Sequence, residues 1–513
     1  MYVEFYGAAD CVTGSCHILK VNNKNILLDC GLLQGKDADD SNDDNVNFPF
    51  DPKDIDYVLL SHAHIDHSGR IPLLYKQGFK GQVICNSATK DLCNVMLPDS
   101  GHIQEMEVDW KNRKRQRKGM ATIEPLYTAK IAELSLYLFT PYEYDEIVEL
   151  FPGFKVRFRN AGHLLGGAII EMFIREEGKE EIKVVYTGDL GNKNIPIIKD
   201  PTQIDYADYV IMESTYGNRV HEDAGGEVKQ LANIIRDTFR RGGNVVIPSF
   251  AVGRTQEILY ALNRYIDCKE LKNIKVFVDS PLASRATKIF EDYSHHYDDE
   301  ASKIINSGEN PLEFEGLIFT DKAEDSIKIN KEERNCIIIS ASGMCEAGRI
   351  RHHLKHNLWR AESSVIFVGY QAEGTLGRNL LNGIKEVKLF GEEIAVNCHI
   401  YNLNGLSGHA DRNGLLNWVK AMERKPKEII VVHGDDESRQ GFKELLLEEG
   451  YAAKTVRKGQ RYYINDREEK NKITLRERLE TVIYSKNLDM LSKEELLSQI
   501  SNIYDEIISN KGR

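Results

Sequence analysis

Short apolar runs, each broken off by a small or charged residue, recur along the chain and set the elements it predicts. Residues 57–60 (Tyr-Val-Leu-Leu) read as a buried strand. Residues 25–29, 184–189, 209–213 and 429–433 follow the same plan and end on Asp29, Asp189, Glu213 and His433. Further on, residues 245–257, 275–283, 336–344 and 364–372 each join an apolar run to a Gly-, Ser- or Pro-rich turn, with helix-length segments between them. That rhythm predicts a second α/β domain on a parallel sheet. Residues 1–7 predict a first strand, and without a basic leader no signal peptide is expected. No apolar run approaches the eighteen or so residues of a membrane-spanning helix, so none is expected.

Near the end of the chain, after a polar stretch from 466, the pattern predicts two helices. The second opens on a capping box at Ser492 and carries Leu496, Ile500, Ile503, Tyr504 and Ile507 on one face. That face is expected to dock on the parent domain or to serve a partner or homodimer contact. The basic stretch 111–118 holds six cations in eight residues and is expected to end a helix before Gly119. It reads either as a solvated helix end or as a contact to a nucleic-acid backbone. His352, His353 and His356 are expected to be surface histidines of one helix, since no carboxylate accompanies them in the sequence.

Composition narrows the class without deciding it. With 513 residues, 41% hydrophobic and 28% charged, the chain suits two or three globular domains. A net charge of −12 argues against a protein that coats nucleic acid, though a local positive channel remains compatible with it. Nine scattered cysteines with no C-x-x-C indicate neither a disulfide framework nor a zinc ribbon, which suits a reducing cytoplasm.

The decisive chemistry follows the strand at 57–60. His62, His64, Asp66 and His67 crowd the loop at its carboxyl end, the edge where open α/β sheets place ligands. Two histidines at i and i+2 can converge on one cation, and the Asp-His pair can serve a second one about 3.5–4 Å away. This His-x-His-x-Asp-His run resembles the signature of the metallo-β-lactamase family. The resemblance implies further ligands, and the sequence supplies a match for each at the end of a strand-like run. Asp29 would orient a metal-bound histidine, His163 would join His62 and His64 at the first metal, and Asp189 would bridge to the second, held by Asp66 and His67. Imidazole and carboxylate ligands without thiolate suit two Zn²⁺ ions per chain, with Mn²⁺ or iron also compatible. The ions would share a hydroxide nucleophile.

Fold alone does not fix the reaction. The second half of the chain adds Glu213, then His409 in a Ser-Gly-His-Ala-Asp segment, then His433. Together these resemble the three additional motifs of the β-CASP nucleases, over roughly residues 1–465. The likeness is greatest to the cleavage nucleases of pre-mRNA 3′-end processing and their prokaryotic relatives. It implies an αββα metallo-β-lactamase sandwich at 1–212 and 396–465, an inserted β-CASP α/β domain at 213–395 and a helical extension at 466–513. Asp66, Glu213 and His409 would be catalytic: His409 would protonate the leaving oxygen, Glu213 would hold its ring, and His433 would complete the second metal shell. A histidine at the third motif favours single-stranded RNA over DNA as substrate.

Ser340, Ser342, Arg349 and Arg378, in Gly-rich turns after strands, are candidates for holding phosphate or are simply turn chemistry. The expectation is therefore a two-zinc ribonuclease of RNA processing or decay, endonucleolytic with possible 5′-exonuclease action. A DNA nuclease, a thioesterase-like small-molecule hydrolase and a non-catalytic RNA-binding paralogue are the alternatives.

Overall fold

A strand buried on both faces has no polar positions to alternate, and among the described residues five strands are buried at every position: Ile182–Tyr186, Tyr209–Met212, Val245–Pro248, Cys336–Ser340 and Ser364–Val368. Their neighbours in a computed structural model, which describes residues 1–37, 43–221, 224–267, 274–332, 334–369, 371, 374–403 and 407–464, explain why. The helical extension expected from 466 lies outside the described residues.

Two seven-stranded sheets form a sandwich. The first runs in the order Arg461–Tyr463, Tyr2–Gly7, Cys16–Val21, Lys24–Leu28, Tyr57–Leu59, Gln82–Asn86, Phe139–Tyr142. The second runs Ala453–Thr455, Glu428–Val431, Tyr209–Met212, Ile182–Tyr186, Ala168–Ile174, Phe154–Asn160, Ile147–Phe151. Val3, Phe5, Ile26, Leu28 and Leu59 from the first sheet share a core with Phe154, Ile170, Val184, Ile211 and Ile430 from the second. Helices Arg412–Lys420 and Asp436–Glu448 cover the outer face of the second sheet through Leu415, Trp418, Phe442 and Leu446. Phe154–Asn160 alternates buried and half-buried positions, as an antiparallel strand with one wetter face should.

A third sheet of six strands lies in the order Leu317–Phe319, Lys275–Val278, Cys336–Ser340, Val245–Pro248, Ser364–Val368, His399–Leu403, and every pairing is parallel. The second α/β unit read from the sequence is therefore present. Its last strand corrects the expected return to the sandwich at 396, because His399–Leu403 still pairs with Ser364–Val368. The strand was hard to read because His399, Tyr401 and Asn402 interrupt its apolar pattern at the sheet edge. One continuous apolar cluster joins this unit to the sandwich, running from Leu27 and Val58 through Leu164 and Ile197 to Ile247, Val276 and Phe290.

The helix Ser87–Arg117 carries the basic stretch to its end, capped at Lys118 before Gly119 with φ +68°. Among the described residues no helix is long and apolar enough to cross a membrane.

His352 and His356 are exposed, but His353 is fully buried, against the expectation for it. Its Nε2 meets Asp279 Oδ2 at 2.6 Å, a carboxylate supplied by the end of the neighbouring strand and invisible in local sequence.

Candidate metal centre and active site

The ligands expected from the sequence all lie beyond the carboxyl ends of strands, on one edge of the sandwich. The loop after Tyr57–Leu59 brings His62 and His64, and the helical turn Ile65–Ser68 that follows it brings Asp66 and His67; the loops after Phe154–Asn160, Ile182–Tyr186 and Glu428–Val431 bring His163, Asp189 and His433. Glycine permits this crowding. A Cβ on Gly191 would stand 1.8 Å from the Gly162 carbonyl oxygen, and one on Gly31 1.6 Å from that of Asp66. His433 and Asp29 themselves adopt left-handed φ of +50° and +58°, a cost for non-glycine residues that aims both side chains inward.

The side chains form two clusters. In the first, His62 Nε2 lies 3.0 Å and His163 Nε2 3.1 Å from His64 Nδ1, with Asp189 Oδ2 3.5 Å from His62 and 3.6 Å from His163. In the second, His67 Nε2 and His433 Nε2 are 3.0 Å apart, Asp66 Oδ2 is 3.7 Å from each, and Asp189 Oδ1 is 3.3 and 3.5 Å from them. Asp189 thus presents one oxygen to each cluster, and its Oδ1 is buried without a hydrogen-bond partner. Ring nitrogens converging on one point, with a bridging carboxylate, fit divalent cations about 2.0–2.1 Å from each nitrogen. With no thiolate among these atoms, zinc, manganese and iron all suit the donor set.

The surroundings fix the rings in the form that ligates. His163 Nδ1 donates to the Gly408 carbonyl at 3.1 Å, freeing Nε2. His67 Nδ1 is 2.7 Å from Asp29 Oδ2, and Asp29 also accepts from the Ser61 amide and hydroxyl and from Tyr186, at 2.7, 2.7 and 2.8 Å. Thr215 Oγ1 lies 3.1 Å from His433 Nδ1.

Burial holds the pKa of His64 down to about 4 and those of His62 and His163 well below the usual histidine range, so all three are neutral. Burial also opposes charge on His67, yet Asp189, Asp66 and Asp29 outweigh it and push the pKa up. A site that draws a proton this strongly has the electrostatics to hold a metal cation instead.

Against these clusters stands a pair, the buried Glu213 and the half-buried His409. Glu213 accepts from the Leu190 amide at 2.6 Å and the Thr215 amide at 3.2 Å, and its Oε1 is 3.3 Å from His409 Nδ1. Burial disfavours the His409 cation, but Glu213, with Asp189 and Asp66 behind it, raises its pKa to about 9. The ring lies 4.4 Å from that of His163. This geometry gives a cationic imidazole held at one nitrogen beside a cluster suited to metals.

The candidates for phosphate divide. Ser340 is buried and donates to the Asp279 carbonyl, and Arg349 bonds the Asp279 carboxylate at 2.7 Å and the Thr320 and Asp321 carbonyls. Both are engaged within the inserted unit. Ser342 is half-buried in the following turn, and Arg378 belongs to helix Leu376–Leu381, capped by Thr375.

A different cation reaches the site. An Arg254 guanidinium nitrogen stands 3.8 Å from where a Cβ on Gly408 would lie, a point itself 3.4 Å from the His163 ring. Arg254 is paired with Glu257 and nearly buried. Its one sequence signal is position, a basic residue that opens the helix Arg254–Asp267 after a parallel strand.

The sandwich and its paired clusters define a metal-dependent hydrolase of the metallo-β-lactamase superfamily, whose model matches residues 9–124. A Beta-Casp domain matches 255–380, and a Zn-dependent metallo-hydrolase RNA specificity domain matches 393–456. The chain is 34% identical over 460 residues to "Ribonuclease TTHA0252" of Thermus thermophilus, covering 90% of this chain and 99% of that one. It is 33% identical to an "RNase J-like protein" of Methanocaldococcus jannaschii, covering 84% and 92%, and 32% identical to "Transcription termination factor FttA" of Methanosarcina mazei, covering 85% and 67%. A solved protein of unknown function from Enterococcus faecalis shares the fold, with TM-score 0.51 and 14% identity over 90% of this chain and 99% of that one. The chain belongs to the β-CASP ribonucleases of the metallo-β-lactamase superfamily.

Proposed function

We propose that the protein hydrolyses phosphodiester bonds of single-stranded RNA using two zinc ions, one held by His62, His64 and His163, the other by Asp66, His67 and His433, with Asp189 shared. The observation that carries this reading is the Glu213–His409 pair, 3.3 Å apart, facing both clusters. When bound, the metals supply Lewis-acid activation of water and neutralise phosphate charge. His409, fixed at Nδ1 by Glu213, gives the proton on its other ring nitrogen to the leaving oxygen. Arg254, with Ser342 and Arg378 as further candidates, holds the phosphate without reading bases. Asp29 orients His67.

The substrate class rests on the ribonuclease names of the relatives and on His433 at the third motif. The reaction is endonucleolytic, with 5′-exonuclease action possible at the same site, and serves RNA processing or decay.

The test takes full-length protein of measured metal content and matched RNA and DNA strands labelled at either end, with a chelated sample and a His409→Ala variant alongside. RNA-selective cutting that chelation abolishes and His409→Ala lowers about 10²–10⁴-fold supports the reading. Cutting of DNA with equal ease points to a DNA nuclease. No cutting of either strand by metal-loaded protein leaves a small-ester hydrolase or an RNA-binding paralogue.

A further inference from the structure

Away from the active site, another set of metal-ligating side chains converges, and it spans the two α/β units. Glu143 follows the strand Phe139–Tyr142 of the sandwich, whereas His295 and His296 belong to the turn Ser294–His296 after helix Pro281–Asp292 of the inserted unit. One ligand atom from each lies within 4.8 Å of the others.

The three are held in place by neighbours that leave their ligating atoms unused. Ser87 donates to Glu143 Oε1 at 2.6 Å, leaving Oε2 to face His296 Nε2 at 3.6 Å. That separation is too long for a hydrogen bond. It suits a nitrogen and an oxygen that each stand about 2.0–2.2 Å from a shared zinc ion. The His296 side chain is 11% exposed and its Nδ1 is buried with no hydrogen-bond partner, so the protein leaves that nitrogen unsatisfied and meets Nε2 only through the Glu143 carboxylate. Tyr144 and Tyr293 pack against that ring with centroids 5.0 and 5.6 Å away, which limits its rotation. His295, exposed, stands edge-on to it at 4.3 Å.

The two units already meet at this place. Tyr293 donates to Asp91 at 2.8 Å, the Asp298 amide donates to the Ile197 carbonyl at 2.8 Å, and Ile198 bridges Tyr297. A cation bound here pays little to order its ligands, because those contacts hold the turn against the sandwich.

We infer that Glu143, His295 and His296 form a second kind of metal site, taking a divalent cation of the zinc class, which staples the inserted unit to the sandwich. Two imidazoles and one carboxylate leave a fourth position for water, so the site binds more weakly than a closed four-ligand zinc centre and fills only as free zinc rises. Its occupancy then sets how tightly the two units are held together. The inference does not depend on which ester the active site hydrolyses.

The test uses the full chain with its active site loaded, dialysed against a series of buffered free-zinc concentrations, as wild type, His295→Ala and Glu143→Gln. Both substitutions fall on exposed side chains, so the fold is expected to survive them. Zinc per chain and Tm are read at each concentration. The expected result is one zinc ion fewer per chain in both variants and loss of the zinc-dependent rise in Tm that wild type shows. Equal zinc counts in all three proteins overturn the site. A lower count with an unchanged rise in Tm overturns the staple.

Discussion

His409 and Glu213 act as one unit, so a change at the carboxylate should be read out at the imidazole. Glu213 is buried and spends its oxygens on two backbone amides and the His409 ring. Its charge is the chief attraction that offsets the cost of burying the His409 cation and lifts the pKa to about 9. A proton donor works while protonated, so activity should persist below that pKa and fall as pH rises through it. Replacing the carboxylate by an amide removes the attraction and leaves the burial penalty. Glu213→Gln should therefore move the alkaline limb of the kcat/KM profile to lower pH, with metal content unchanged; an unmoved limb would show that His409 is not the titrating donor. These two residues were legible in the sequence because the segments that carry them, the strand-like run 209–213 and the Ser-Gly-His-Ala-Asp segment around His409, resemble the β-CASP motifs. Arg254, Thr215 and Tyr186 were not, because each owes its place to a partner far away in the chain: Gly408, His433 and Asp29.

At the level of elements, the inserted sheet is tied at its carboxyl edge by Asp279, which ends the strand Lys275–Val278. Its carboxylate accepts from Thr320 and Ser326 at 2.6 Å and from Arg349 at 2.7 Å, and it meets His353 at 2.6 Å. Burial alone would raise this carboxyl's pKa, but the bonds from His353, Ser326, Thr320 and Arg349 outweigh it and hold the pKa well below the usual carboxylate range. A depressed carboxylate stabilises the fold above its unfolded pKa, about 3.9, and that contribution is lost as pH falls below it. Asp279→Ala should cost about 3–5 kcal/mol, since it leaves buried partners uncompensated. Urea unfolding at neutral pH measures this, and the deficit relative to wild type should shrink toward pH 3; a deficit that is flat with pH would contradict the account. Element reading from sequence succeeded where strands are central and uniformly apolar. It failed at the sheet edge His399–Leu403 and at His353, where burial is decided by neighbours from other segments.

For the molecule as a whole, the metal centre is where distant parts of the chain are brought together. The loop 61–69, the turns holding His163 and Asp189 and the closing strand that ends at His433 meet there, from both sheets of the sandwich. Without cations, five imidazoles and the Asp66 and Asp189 carboxylates face one another with few complementary hydrogen bonds, and a buried oxygen of Asp189 has none. Metal bound there would act as a set of cross-links between segments far apart in sequence, and its binding free energy would also be folding free energy. At a free concentration about a thousandfold above the dissociation constant, one such site contributes about 4 kcal/mol. The six-stranded sheet supplies none of these ligands, so its stability should respond less. Stripping the metals with a strong chelator should lower Tm and raise amide exchange first in 61–69, 161–167, 188–191 and 432–435. The strands Val245–Pro248, Cys336–Ser340 and Ser364–Val368, buried throughout, should keep their protection. If exchange instead rose equally in both units, the sandwich and the insert would unfold as a single cooperative block, with the shared apolar cluster through Leu164 and Ile197 governing stability rather than the metals.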